Sequence, residues 1–162
     1  MRPLADLRAA YEKTTYWFDA RPLPVAVRIG SRSRALDRML LGRGASRWAF
    51  ITAWNPRSDL RPHWYNVARQ EQLLRALGRR GWQWLSAVAE GDSAIWPAEP
   101  GVLILGMRGP EACRLGRRFR QNAVVVGRLG RVPALLWCGR ENHSFRRPIS
   151  SFDGIKGSPE PP

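Results

Sequence analysis

Lysine is nearly missing from this chain, and cysteine, histidine and acidic residues are scarce. The two cysteines, Cys113 and Cys138, form no CxxC pair and have no histidine spaced to share a metal. That pattern argues against a disulfide framework and a zinc site and predicts two reduced, buried thiols. His63 and His143 stand alone and read as surface residues. No run of about 18 apolar residues occurs, so no segment is expected to span a membrane. The opening MRPLADLRAAYEK lacks the apolar stretch of a signal peptide and carries Asp6 and Glu12 early, which points to a cytoplasmic protein. A nucleophile elbow, a phosphate loop and a paired metal-ligand motif are all missing, so no cofactor is expected. Nothing in the sequence sets an oligomeric state.

What is abundant is arginine. Lys13 and Lys156 are the only lysines, so 25 of 27 basic side chains are arginine, against 13 acidic ones, and the net charge is +14. Such a balance attracts polyanions over long range, nucleic acid among them. A GC-rich genome would account for arginine in place of lysine, but not for the excess over acids.

The length of 162 residues suits one domain with its own core. Residues 4–13 read as a short helix. TTYWFDA and PVAVRIG alternate at period two and read as a hairpin. SRSRALDRMLLG is a helix with a serine cap and a glycine stop. RWAFITAW is a strand, 62–81 the longest helix, and 82–88 a strand. A turn-rich loop, EGDSAIWPAEPG, precedes VLILGM, a strand buried on both faces. A helix over 110–120 then leads to two strands, AVVVG and VPALLWC, joined by RLGR. The order predicts a single α+β (mixed α/β) domain over 1–139, with a mixed sheet and about three packed helices. Residues 140–162, rich in Pro, Gly and Ser, read as a disordered tail.

Crossover connections have consequences for the polar residues. Helix 62–81 should make strands 47–54 and 82–88 parallel, and helix 110–120 should do the same for 102–107 and 123–127. One edge of the sheet then collects the exit of AFITAWNPRS at Asn55, the loop with Trp96 and Glu99, the approach of Gln121 and Asn122, and the start of the long helix. On that helix Val67, Leu73, Leu74 and Leu77 share an arc with Asn66 and Gln70. An amide on an apolar face needs partners or costs about 1–3 kcal/mol, so Asn66 should point inward to this edge. Asn55 and Asn66 then either tie a loop to a helix or line a ligand site walled by Trp54 and Trp96.

These same residues carry a resemblance. AYEKTTY, VRIGSRSRALDRMLLGRG, WAFITAWNPRS, NVARQEQLLRALGRRG, WPAEPGVLILGM and RRFRQNAVVVG together resemble the bacterial family called domain of unknown function 3293, over roughly residues 10–138. The chain departs from that family's pattern at Tyr65, where an acidic residue is usual, at Arg120, where glycine is usual, and at Gly101, where serine is usual. The resemblance implies the fold and the site, and names no substrate.

If the edge is a catalytic pocket, Glu99 is its general acid or base. Asn55, Asn66 and Gln121 would then orient substrate or stabilise charge. The alternative for Glu99 is a surface ion pair with an arginine, which contributes only about 0–1 kcal/mol. Trp54 and Trp96 would stack on a planar ring or serve as core aromatics. The surrounding arginines favour an anionic small molecule such as a nucleotide. Arg114, Arg117 and Arg118, opposite the apolar side of helix 110–120, suggest instead a phosphate-contacting face of a nucleic-acid-binding module.

Overall fold

A computed structural model describes residues 4–92 and 96–139. The expected tail at 140–162, with His143, lies outside the described residues. In chain order the elements are α1 (Leu4–Lys13), β1 (Thr15–Phe18), β2 (Val25–Val27), α2 (Arg34–Gly42), β3 (Arg47–Ile51), α3 (His63–Gly78), β4 (Trp84–Glu90), β5 (Glu99–Leu105), α4 (Gly109–Arg118), β6 (Ala123–Arg128) and β7 (Ala134–Trp137). Each follows from a local signal. Ser33 caps α2 by accepting a hydrogen bond from the Leu36 amide at 3.2 Å, as serine caps do. Pro62 sits just before α3, where a missing N–H costs nothing.

The seven strands form one sheet in the order β2-β1-β4-β5-β3-β6-β7, and every neighbouring pair is antiparallel. The crossovers led to the expectation of a mixed sheet with parallel pairs; the pairing is instead antiparallel throughout. Strands β3 and β4 do run in one direction, but β5 lies between them; β5 and β6 do too, with β3 between them. Each crossover helix carries the chain past one strand instead of to its neighbour. The central β3-α3-β4-β5-α4-β6 is thus a split βαβ arrangement of the ferredoxin-like kind, extended by the β1–β2 hairpin on one side and β7 on the other.

Period-two alternation sends side chains of β3 to both faces. Ala49 and Ile51 join Val102, Ile104 and Val124 beneath Leu73 and Leu77 of α3 and Ala112 and Leu115 of α4. Trp48 and Phe50 join Leu103, Leu105 and Val125 beneath Leu36 and Leu40 of α2, with Tyr16 and Phe18 of β1 closing that layer. Both faces are covered, which is why β5 and β6 read as unbroken apolar runs. Two glycines make room for the large rings. A Cβ at Gly127 would stand 2.5 Å from the Trp48 indole, and one at Gly101 2.5 Å from the Phe50 ring. Cys113 and Cys138 are free and buried, as expected, with their sulfurs 3.8 Å apart. Among the described residues no helix is long and apolar enough to cross a membrane.

Candidate functional site

Strand β3 ends at Ile51, three residues before its apolar run does. Side chains take over its backbone. The Ala53 amide donates to Gln70 Oε1 at 3.0 Å, the Trp54 amide to Thr52 Oγ1 at 2.9 Å and the Asn55 amide to Asn66 Oδ1 at 2.9 Å. Thr52 in turn donates to the Pro100 carbonyl at 2.7 Å. Local side-chain acceptors thus compete successfully with the sheet ladder. The inward amides of α3 are these acceptors, as their place on the apolar arc required.

Beyond that point the backbone is unusual. Asn55, Arg57, Ser58 and Arg120 have φ of 41°, 60°, 59° and 57°, and they are the positive-φ residues other than glycine among those described. All four lie where the loop after β3 meets the loop before β6. The Arg57 amide donates to the Arg120 carbonyl at 2.7 Å, Gln121 Nε2 to the Trp54 carbonyl at 2.9 Å and Asn122 Nδ2 to Ser58 Oγ at 3.0 Å. Left-handed backbone at non-glycine residues costs of order 1 kcal/mol each and persists only where the surroundings enforce it. The position of Arg120 is one a glycine would occupy without strain.

Asn55 sits at the centre. Its Oδ1 accepts from Asn66 Nδ2 at 2.9 Å and from the Arg61 amide at 3.0 Å, while its Nδ2 donates to Glu99 Oε1 at 2.7 Å. Asn66 Nδ2 also donates to the Arg61 carbonyl at 3.2 Å. The same Glu99 oxygen accepts from Trp96 Nε1 at 2.9 Å. Burial holds the Glu99 carboxyl above the usual carboxylate range, and the bonds from Asn55 and Trp96 pull partly back. No ion pair reaches Glu99 among the described residues. The surface ion pair expected from the abundance of arginine therefore does not form.

Glu99 lines a cleft of about 490 Å³ between α1 and the end of the sheet. Among the described residues its second oxygen, Oε2, has no partner, and it is not sealed from solvent. The remaining wall is mostly apolar and aromatic: Tyr11 from α1, Tyr16 from β1, Phe50 from β3, Val125 from β6 and Trp96 from the loop. Burial pushes the Tyr11 phenol up to about 12, and Tyr16 up as well. Among the described residues Lys13 is the cationic lining residue, and no arginine lines the cleft. Asp92 also lines it, paired to Arg28 at 2.9 Å.

Of the residues singled out by sequence, Asn55, Trp96, Glu99 and Gln121 meet at this cleft. Asn66 and Trp54 lie buried behind it, Trp54 with its ring edge-on to the exposed His63 at 5.6 Å. Arg114, Arg117 and Arg118 are exposed on α4, and none of them lines the cleft. The sequence reading missed Tyr11, Tyr16 and Phe50. The signals were present: Leu7 and Tyr11 lie one turn apart on α1, and the alternation of TTYWF turns Tyr16 inward. Gly101 is a further participant, because a side chain there would displace the Phe50 ring from the cleft wall.

The profile of the family described as protein of unknown function (DUF3293) matches residues 51–124. Residues 51–124 belong to that family. The matched stretch runs from the end of β3 into β6 and contains Asn55, Asn66, Glu99 and Gln121 together. No curated protein and no solved structure matches the chain.

Proposed function

We propose that the cleft at Glu99 binds a small planar molecule through a hydrogen-bond-donating edge, such as the amino edge of a nucleotide's base. The observation that carries this is Glu99 Oε2: among the described residues nothing donates to it, and it belongs to a carboxylate that lines the cleft and whose other oxygen is locked by Asn55 and Trp96. A partly buried carboxylate with no counter-charge is costly unless something donates to it. The aromatic lining offers flat apolar surface to a ring. An anionic group on the same ligand, such as a phosphate, belongs at the mouth with Lys13, since no arginine is among the described residues of the lining. With its proton held more tightly than usual, Glu99 is also placed to exchange a proton with such a ligand.

The test is thermal shift and calorimetric titration of the full chain with nucleosides and nucleotides. Bases with and without an exocyclic amino group are compared, for wild type and Glu99→Gln. The glutamine keeps an oxygen for Asn55 and Trp96 but puts an NH2 where Oε2 was. Amino-bearing bases should raise the wild-type Tm by mass action and bind the variant at least roughly tenfold more weakly. Equal affinity in wild type and variant, or no shift from any compound, refutes the proposal.

A second reading is nucleic-acid binding across the arginine faces, favoured by the exposure of Arg114, Arg117 and Arg118 on one helix. It requires affinity that falls with salt at a slope of about −0.9 per duplex phosphate contacted.

A further inference from the structure

Not all the arginines of α4 share one surroundings. Arg114 and Arg118 stand one turn apart on the same face, and Arg80, just past α3, joins them around a slot of about 210 Å³. Arg117 points elsewhere, with Nη1 3.5 Å from the Cys138 carbonyl. The floor of the slot is apolar, made by Leu77 and Trp82. Glu111 also lines it, but its Oε2 is engaged by Arg108 through both the amide and Nε at 3.2 Å. Among the described residues Arg80, Arg114 and Arg118 form no ion pair; Arg118 lies against the Phe119 ring at 5.9 Å, and the Glu111 carboxylate held by Arg108 also feels the charge of Arg114. Three guanidinium groups, two from α4 and one from the turn after α3, therefore converge on one concavity that holds a single carboxylate, already bonded to Arg108. Like charges one helical turn apart oppose each other, and a bound oxyanion would remove that opposition.

We infer that this slot binds a phosphate group, with Arg80, Arg114 and Arg118 as its donors and Arg117 outside it. Guanidinium forks match the geometry of phosphate oxygens and bind them through paired hydrogen bonds. The site is separate from the cleft. Glu99 opens β5, whereas Met107 of the slot follows that strand's far end, and the two sets of lining residues share no member. The slot therefore does not depend on the cleft proposal. It narrows the nucleic-acid reading from spread charge to one place.

The test compares the full chain with Arg114→Ala/Arg118→Ala and with Arg34→Ala/Arg38→Ala. The second pair removes the same charge from exposed positions on α2. All four of the side chains concerned are exposed, and circular dichroism melts verify folding. The probes are inorganic pyrophosphate, by calorimetry, and a short labelled single-stranded oligonucleotide, by fluorescence anisotropy at low salt. The slot pair should weaken binding roughly tenfold or more, and the α2 pair by less than roughly twofold. Loss of pyrophosphate binding identifies a free phosphate ligand as a source. Loss confined to the oligonucleotide identifies the nucleic-acid backbone. Equal loss from both charge pairs overturns the slot in favour of distributed charge, and failure of wild type to bind either probe overturns it outright.

Discussion

Asn66 is 2% exposed on a helix face otherwise given to the core, and its replacement separates a structural latch from a ligand-binding group. Truncation in Asn66→Ala removes three hydrogen bonds, two to Asn55 and one to the Arg61 carbonyl. Each is worth about 1 kcal/mol net, and the Asn55 amide left buried without an acceptor adds about 1–3 kcal/mol. The sum is about 4–6 kcal/mol, which for a domain of this size lowers Tm by roughly 10–20 °C. Urea denaturation gives the free energy directly. Asn66→Asp adds a sharper condition. Its ionised carboxylate would face two acceptors, Asn55 Oδ1 and the Arg61 carbonyl, whereas the protonated acid can donate as the amide did. Its folded pKa must lie above the ordinary value of about 3.9, so the folded state binds more protons. The variant should then regain stability relative to wild type as pH falls through the raised pKa toward the unfolded one. A cost below about 1 kcal/mol for alanine, or a pH-independent deficit for aspartate, would refute the latch.

Three further outcomes follow from the same geometry. The folded pKa of Glu99 is raised, so wild-type stability should fall as pH climbs from about 4.3, the ordinary glutamate value, through that raised pKa; Glu99→Gln should flatten this part of the profile, and superimposable profiles would contradict the burial. Gly101→Ser places a side chain 2.5 Å from the Phe50 ring and 3.0 Å from the Ile51 carbonyl; it should cost about 1–3 kcal/mol by denaturation, and an unchanged midpoint would show that the ring has other space. Arg120→Gly relieves a left-handed residue worth about 1–2 kcal/mol against about 0.5–1 kcal/mol of added chain freedom; a stabilisation below about 1 kcal/mol is expected, and a loss of more than that would deny the strain.

The sequence carried the elements of this fold because their signals are local. Period two marked β1 and β2, Ser33 marked the start of α2, and the glycines at 78 and 81 marked the end of α3. Strand directions were legible as well, since a crossover helix returns the chain to the same end. Pairing was not, because nothing in RWAFI says that its neighbours are β5 and β6 and not β4; that choice is made by contacts distant in sequence. The convergence of Asn55, Glu99 and Gln121 followed from direction alone and so survived the error in pairing. The far wall of the cleft did not follow, because Tyr11 and Tyr16 reach it from the chain's beginning by packing that no motif announces. Arg80 was missed for a similar reason: it joins Arg114 and Arg118 only through the packing of α3 beside α4.

The distribution of charge bears on how a ligand would enter. The chain carries 25 arginines, yet the described lining of the cleft has the Glu99 and Asp92 carboxylates and no arginine. A net charge of +14 draws anions from a distance, while Glu99 Oε2 rewards a donor at short range. A nucleotide meets both conditions if its phosphate leads the approach and its base enters. The two effects then fall on different rate constants. Raising salt should slow association and leave dissociation nearly unchanged, because the field is screened over about 10 Å while the contact with Glu99 is not. Glu99→Gln should do the reverse, speeding dissociation with little change in association. Stopped-flow measurement with the tightest-binding nucleotide checks both. If salt acts mainly on dissociation, the phosphate is held by the arginine surface in the bound state, and the assignment of the base to the Glu99 cleft fails.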